Sequence, residues 1–111
     1  ILNTHLSVNL EERLSQAREL RAYIDSLEGP LMLIGDLNDI PSSETLAIFM
    51  DRDGLIDIAA DYNADHYTFS VREPHRRIDY ILARDVQAVA YGVATWITTS
   101  DHFPIWAEVT W

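Results

Sequence analysis

From its first residue the chain alternates. Ile1, Asn3 and His5 fall on one side of an extended segment and Leu2, Thr4 and Leu6 on the other, so "ILNTHLSV" reads as a strand whose end carries polar groups. The period then changes. Leu10, Leu14, Ala17, Leu20, Ile24 and Leu27 recur at spacings of three and four, which predicts a long helix. Asn9 stands where a cap is needed, with Glu12 placed to reach back to it, and Gly29 and Pro30 end the helix in the expected order. On this reading Arg13, Arg18, Arg21 and the acids among them form the solvated face. "LMLI", residues 31–34, is a continuous apolar run between turn signals, the pattern of a strand covered on both faces. "SETLAIFMDRDG", residues 43–54, predicts a second, shorter helix closed by Gly54.

The second half has a different grain. "HYTFSV", "RIDYILA", "VQAVAYGVA" and "IWAEVTW" are short, rich in β-branched and aromatic residues, and separated by polar breaks, so they read as sequential antiparallel strands. Strand, helix, strand and helix followed by strands imply an α/β layer with two helices packed on one face of a mixed sheet. The stretch 57–66, "DIAADYNADH", is the least determined.

Composition narrows what such a layer can do. One hundred and eleven residues suffice for one domain, 1–111, and a hydrophobic fraction of 48% supports a real core. A formal charge of -10 disfavours nucleic acid unless a local basic patch or bound cations intervene, and Arg72, His75, Arg76 and Arg77 form the one visible patch. The absence of cysteine removes disulfides, thiolate metal sites and a cysteine nucleophile. No apolar run approaches the roughly 18 residues of a membrane span, and no leader pattern is present. The opening "ILNTHL", already inside a strand, suggests a segment of something longer.

The acids sit in telling places. "GDLND" follows directly on "LMLI", so Asp36 and Asn38 lie at the carboxyl end of a strand, where α/β proteins build their sites. In an extended segment their i, i+2 spacing would point an anion and a neutral amide the same way, a combination suited to phosphate-ester hydrolysis. An Asx turn bonding to local backbone is the competing explanation. Asp79 lies inside the apolar "RIDYIL", where a carboxylate needs a partner, and His102 of "SDH" offers one; alternatively Asp79 faces solvent beside Arg77. Asp101, next to His102, suits a hard cation. His66 and His75 carry no distinguishing context, and His5 taken alone reads as structural. No Gly-rich phosphate loop and no HExxH helix competes, and Ser100, adjacent to Asp101 and His102, cannot act as a triad with them.

"NTHL", "GDLND", "RIDYIL" and "SDHFPI", in this order, resemble the carboxyl-terminal half of the endonuclease/exonuclease/phosphatase superfamily, which embraces deoxyribonucleases, exonuclease III and neutral sphingomyelinases. The resemblance implies half of a four-layer α/β sandwich. It also implies roles: Asp36 activates the attacking water, Asn38 binds the phosphate, Asp79 orients His102, His102 contacts the scissile phosphate, His5 lies near it as an acid-base group, and Asp101 helps bind a divalent metal. The resemblance further implies that the metal is Mg2+, with Mn2+ as the substitute, and that the reaction is phosphodiester hydrolysis by water. Members begin with strands bearing an asparagine and a metal-binding glutamate, which have no counterpart here. Phospholipid headgroups, small phosphate esters and, less favoured by charge, nucleic acid are the substrates left open. The alternative is a non-catalytic module, two half-sandwiches pairing as a homodimer to cover an otherwise bare apolar sheet face.

Overall fold

The computed structural model describes residues 1–62 and 67–111. Six strands and two helices follow in the order β1 (Leu2–His5), α1 (Leu10–Ser26), β2 (Leu31–Asp36), α2 (Glu44–Met50), β3 (Ile56–Asp57), β4 (Asp79–Arg84), β5 (Gln87–Val93) and β6 (Ile105–Thr110). A short 3-10 turn spans Ile58–Asp61. Four strands form a mixed sheet in the order β1-β2-β4-β3, with β1 parallel to β2 and β4 antiparallel to both of its neighbours. The β5–β6 hairpin is a separate antiparallel pair.

Alternation in β2 and β4 divides the core into two layers. Leu31, Leu33, Tyr80 and Leu82 point toward Ala17 and Ile24 of α1 and Leu46 and Phe49 of α2, so both helices cover one face. From the other face Ile81 and Ala83, with the half-buried Met32 and Ile34, meet Ala88, Tyr91, Ile105 and Val109 of the hairpin. The bare sheet face expected of a half-sandwich is therefore largely covered by the chain's own hairpin. The two-residue link Asp85–Val86, with Asp85 at φ 55°, carries the chain from one sheet to the other, so β4 and β5 are consecutive without being partners.

Several expectations change at the level of single residues. The Asn9 side chain caps α1 by accepting from the Glu12 N–H at 3.0 Å, but Glu12 reaches back to the Ser7 hydroxyl at 2.7 Å, which in turn accepts from the Asn9 N–H. Arg13 is buried rather than solvated. It donates to the Val8 carbonyl and forms an ion pair with Asp39 at 3.0 Å, joining α1 to the loop before α2. Arg21 likewise turns inward, donating to the carbonyls of Ile48, Asp51 and Arg52 where α2 ends. Leu10, counted on the apolar face, is exposed. "HYTFSV" does not form a strand: among its described residues only Phe69 makes bridges, to Arg76 and to His102. His66 lies outside the described residues.

Arg77 does not accompany Asp79. It is buried and grips both carboxylate oxygens of Asp57 at 2.6 and 2.7 Å, with its guanidinium 4.8 Å from the Tyr80 ring centroid. Burial alone would lower its pKa, but the hydrogen bond and charge of Asp57 raise it, so the guanidinium stays charged.

Candidate active site

Strand register assembles the site. Cα pairing sets His5 opposite Asp36 across β1 and β2, and Asp36 opposite Asp79 across β2 and β4. Because β1 and β2 run parallel and β4 runs against them, the ends of two strands and the start of a third meet at one edge. Directly paired residues put their side chains on the same side of a sheet. Three polar groups, far apart in sequence, thus form one row.

Gly35 permits this row. Its φ is 141°, in the region that side-chain-bearing residues avoid, and a Cβ there would collide with the Thr4 carbonyl oxygen of β1. The glycine of "GDLND" belongs to the close approach of β1, not to a phosphate loop.

The fourth member arrives by a different route. Phe69 bridges to His102, and the Phe69 N–H and carbonyl are tied to Arg76, so the β5–β6 connection is laid against the residues preceding β4. The His102 Nδ1 then lies 2.8 Å from the Asp79 carboxylate, and its Nε2 lies 3.7 Å from Asp36 Oδ2. His5 Nε2 approaches the same Asp36 oxygen at 3.3 Å. The Phe69 ring supports the imidazole at a centroid distance of 4.9 Å. Expectation and structure agree on the Asp79–His102 pair.

Asp36 and Asn38 form the Asx turn that was the competing explanation for them. Asp36 Oδ1 accepts from the Asn38 N–H at 2.8 Å, an Asx turn, while Oδ2 is left facing the two histidines. The extended-segment argument fails: β2 ends at Asp36, and Asn38 has φ 52°. Its amide nitrogen donates to the Leu6 carbonyl at 2.6 Å, which leaves one of two amide protons uncommitted. Asp39, the other acid of the motif, is structural: it receives Arg13 and the Thr45 hydroxyl.

Electrostatics follow from this crowding. Burial, foremost, raises the Asp79 pKa, and hydrogen bonds from His102 and Thr68 pull it partly back. For His102, burial pulls downward, yet the Asp79 hydrogen bond and the charges of Asp79, Asp36 and Asp101 outweigh it and raise the imidazole above its ordinary value. Thr68, fully buried, accepts from the N–H groups of Ile78 and Asp79 and so fixes the start of β4. Nothing in its sequence context signals that task; only its pairing with a strand ten residues on does.

An open cavity of about 600 Å³ exposes His5, Asp36, Asn38, Asp79, Asp101 and His102 together. Asp36, Asp79 and His102 each offer a ligand atom within 4.8 Å of the others, a group able to hold a metal ion. Asp101 is exposed at the same cavity and stands outside that close group, its carboxylate accepting from the Ser100 hydroxyl at 3.4 Å. His75 is exposed and bonds locally to the Glu73 carbonyl, apart from the site.

The model of the Endonuclease/Exonuclease/phosphatase family matches residues 2–102. A mannosyl-6-phosphatase of Bacteroides thetaiotaomicron superposes with a TM-score of 0.84 at 22% identity, covering 98% of this chain and 50% of its own. A functionally unknown conserved protein of Enterococcus faecalis gives 0.80 at 26% identity, covering 97% and 48%. D. rerio TDP2, in complex with a single-strand DNA product, gives 0.78 at 18%, covering 97% and 54%. The chain therefore spans about half the length of the structures it matches. No curated protein sequence matches it.

Proposed function

Because the chain belongs to the endonuclease/exonuclease/phosphatase family, we propose that it supplies the carboxyl-terminal half of the site of a metal-dependent phosphoesterase that cleaves phosphodiesters with water. The observation that carries this reading is the row His5, Asp36, Asp79, closed by His102 at 2.8 Å from Asp79 and open to one cavity.

The donor set suits a hard divalent ion. The exposed carboxylate of Asp101, at the same cavity, would help hold Mg2+, or Mn2+, whose preference is for oxygen. When bound, such an ion offsets negative charge developing on the phosphate. The remaining work falls to the side chains. Asp36 Oδ2 takes a proton from water as the new P–O bond forms. The uncommitted amide proton of Asn38 and the His102 Nε2–H donate to non-bridging phosphate oxygens. Asp79 holds His102 by Nδ1, which fixes its orientation and favours its charged form. His5, exposed beside Asp36, returns a proton to the leaving oxygen as the ester P–O bond breaks.

Hydrolysis of bis(p-nitrophenyl) phosphate by the purified chain with Mg2+ or Mn2+ tests this reading. Activity should appear with metal and disappear with a chelator or in Asp36→Ala. A folded chain that hydrolyses nothing under these conditions would remove catalysis from these 111 residues.

A further inference from the structure

All eight basic residues of this chain are arginines, and their surroundings differ sharply. Arg13, Arg18, Arg21, Arg77 and Arg84 are each held by a carboxylate or by backbone carbonyls. Among the described residues the side chains of Arg52, Arg72 and Arg76 have no such partner. Arg52 and Arg72 are exposed, but Arg76 is half-buried and lines the cavity that holds His5, Asp36 and His102.

Its position is built, not incidental. Arg76 and Phe69 exchange backbone hydrogen bonds at 2.9 and 3.0 Å, and Phe69 also bridges to His102. Arg76, Phe69 and His102 therefore lie side by side, with neighbouring residues about 5 Å apart and their side chains on one face. All three line the cavity. A half-desolvated guanidinium without an anion is costly, and among the described residues this one lines the same cavity as three carboxylates without pairing to any of them.

From this geometry we infer that Arg76 is the substrate-anchoring residue of the cavity, binding non-bridging oxygens of the phosphate beside His102. The guanidinium fork matches two phosphate oxygens at once, which an ammonium or amide cannot do. Its attraction scales with ligand charge, so Arg76 contributes more to holding the dianion of a phosphomonoester than the monoanion of a diester, whichever of the two the site turns over. The inference deepens the proposed phosphoesterase and rests on it for the identity of the substrate, but phosphate binding can be measured without turnover.

Inorganic phosphate is titrated into the chain in the presence of Mg2+ while the His102 ring resonances are followed by NMR. Arg76→Gln should weaken binding roughly 10- to 100-fold, while Arg72→Gln, an equal loss of charge at an exposed site, should bind as the unmodified chain does. Equal binding by Arg76→Gln, or no phosphate binding by the unmodified chain, overturns the inference. In parallel, Arg76→Gln should raise KM for p-nitrophenyl phosphate more than for bis(p-nitrophenyl) phosphate, and an equal change for both overturns the monoester preference. Phosphate binding that depends on Arg76 in a chain without hydrolysis would sink the catalytic reading and leave the anchor standing.

Discussion

Asp79 and His102 each hold a proton more tightly in the folded chain than in the unfolded one, the carboxyl chiefly because it is buried, the imidazole because carboxylates surround it. Both shifts are upward, so both have the same sign in stability. The imidazolium's contribution is fully present below the ordinary histidine value of 6.5 and is lost as pH rises through the higher folded value. Asp79 departs from the usual carboxylate, since raising pH through its elevated pKa works against folding. An Asp79→Asn/His102→Gln variant should therefore lose stability relative to the parent mainly at about pH 5, with the difference shrinking toward about pH 9. Urea midpoints across that range measure it; a gap that widens with pH would contradict the assignment. In Asp79→Asn alone the His102 pKa, followed by NMR, should fall. These residues were legible in the sequence because each is a polar group inside or at the end of an apolar run. Thr68 was not, since its role comes from a contact between segments that carry no periodic pattern.

At the scale of elements, the site depends on how closely β1 approaches β2 and on how α1 is fastened. Gly35→Ala should cost on the order of 3 kcal/mol or more, because the new Cβ meets β1 backbone at a φ that alanine resists. Arg13→Ala should cost about 3–5 kcal/mol by leaving the half-buried Asp39 without its cation. Thermal unfolding of both variants checks these values, and a change within about 0.5 kcal/mol for either would place it among ordinary surface substitutions. Hydrophobic periodicity revealed both helices and five of the six strands. It misplaced Arg13 and Arg21 because a helix face that looks charged can be turned inward when carbonyls and a carboxylate await it. The short β3 escaped notice, since a two-residue strand has no period to read.

For the whole molecule, two sheets and two helices form three layers, and the hairpin covers the face that a pairing of copies was expected to bury. No periodicity in β5 or β6 could say which face they would cover, because that depends on the Asp85–Val86 link passing between sheets. What the whole fold accomplishes is convergence: β1, β2 and β4 each deliver one acid or histidine to the same cavity, and the β5–β6 connection delivers two, Asp101 and His102. The claim that these act as a unit is tested most directly by a double-mutant cycle on Asp79 and His102, measured as kcat/KM for bis(p-nitrophenyl) phosphate with Mg2+. His102→Ala alone should lower the rate on the order of 10²- to 10⁴-fold, and adding Asp79→Asn should lower it little further, because Asp79 acts through the imidazole. Losses that multiply would show two independent contributions and contradict the account.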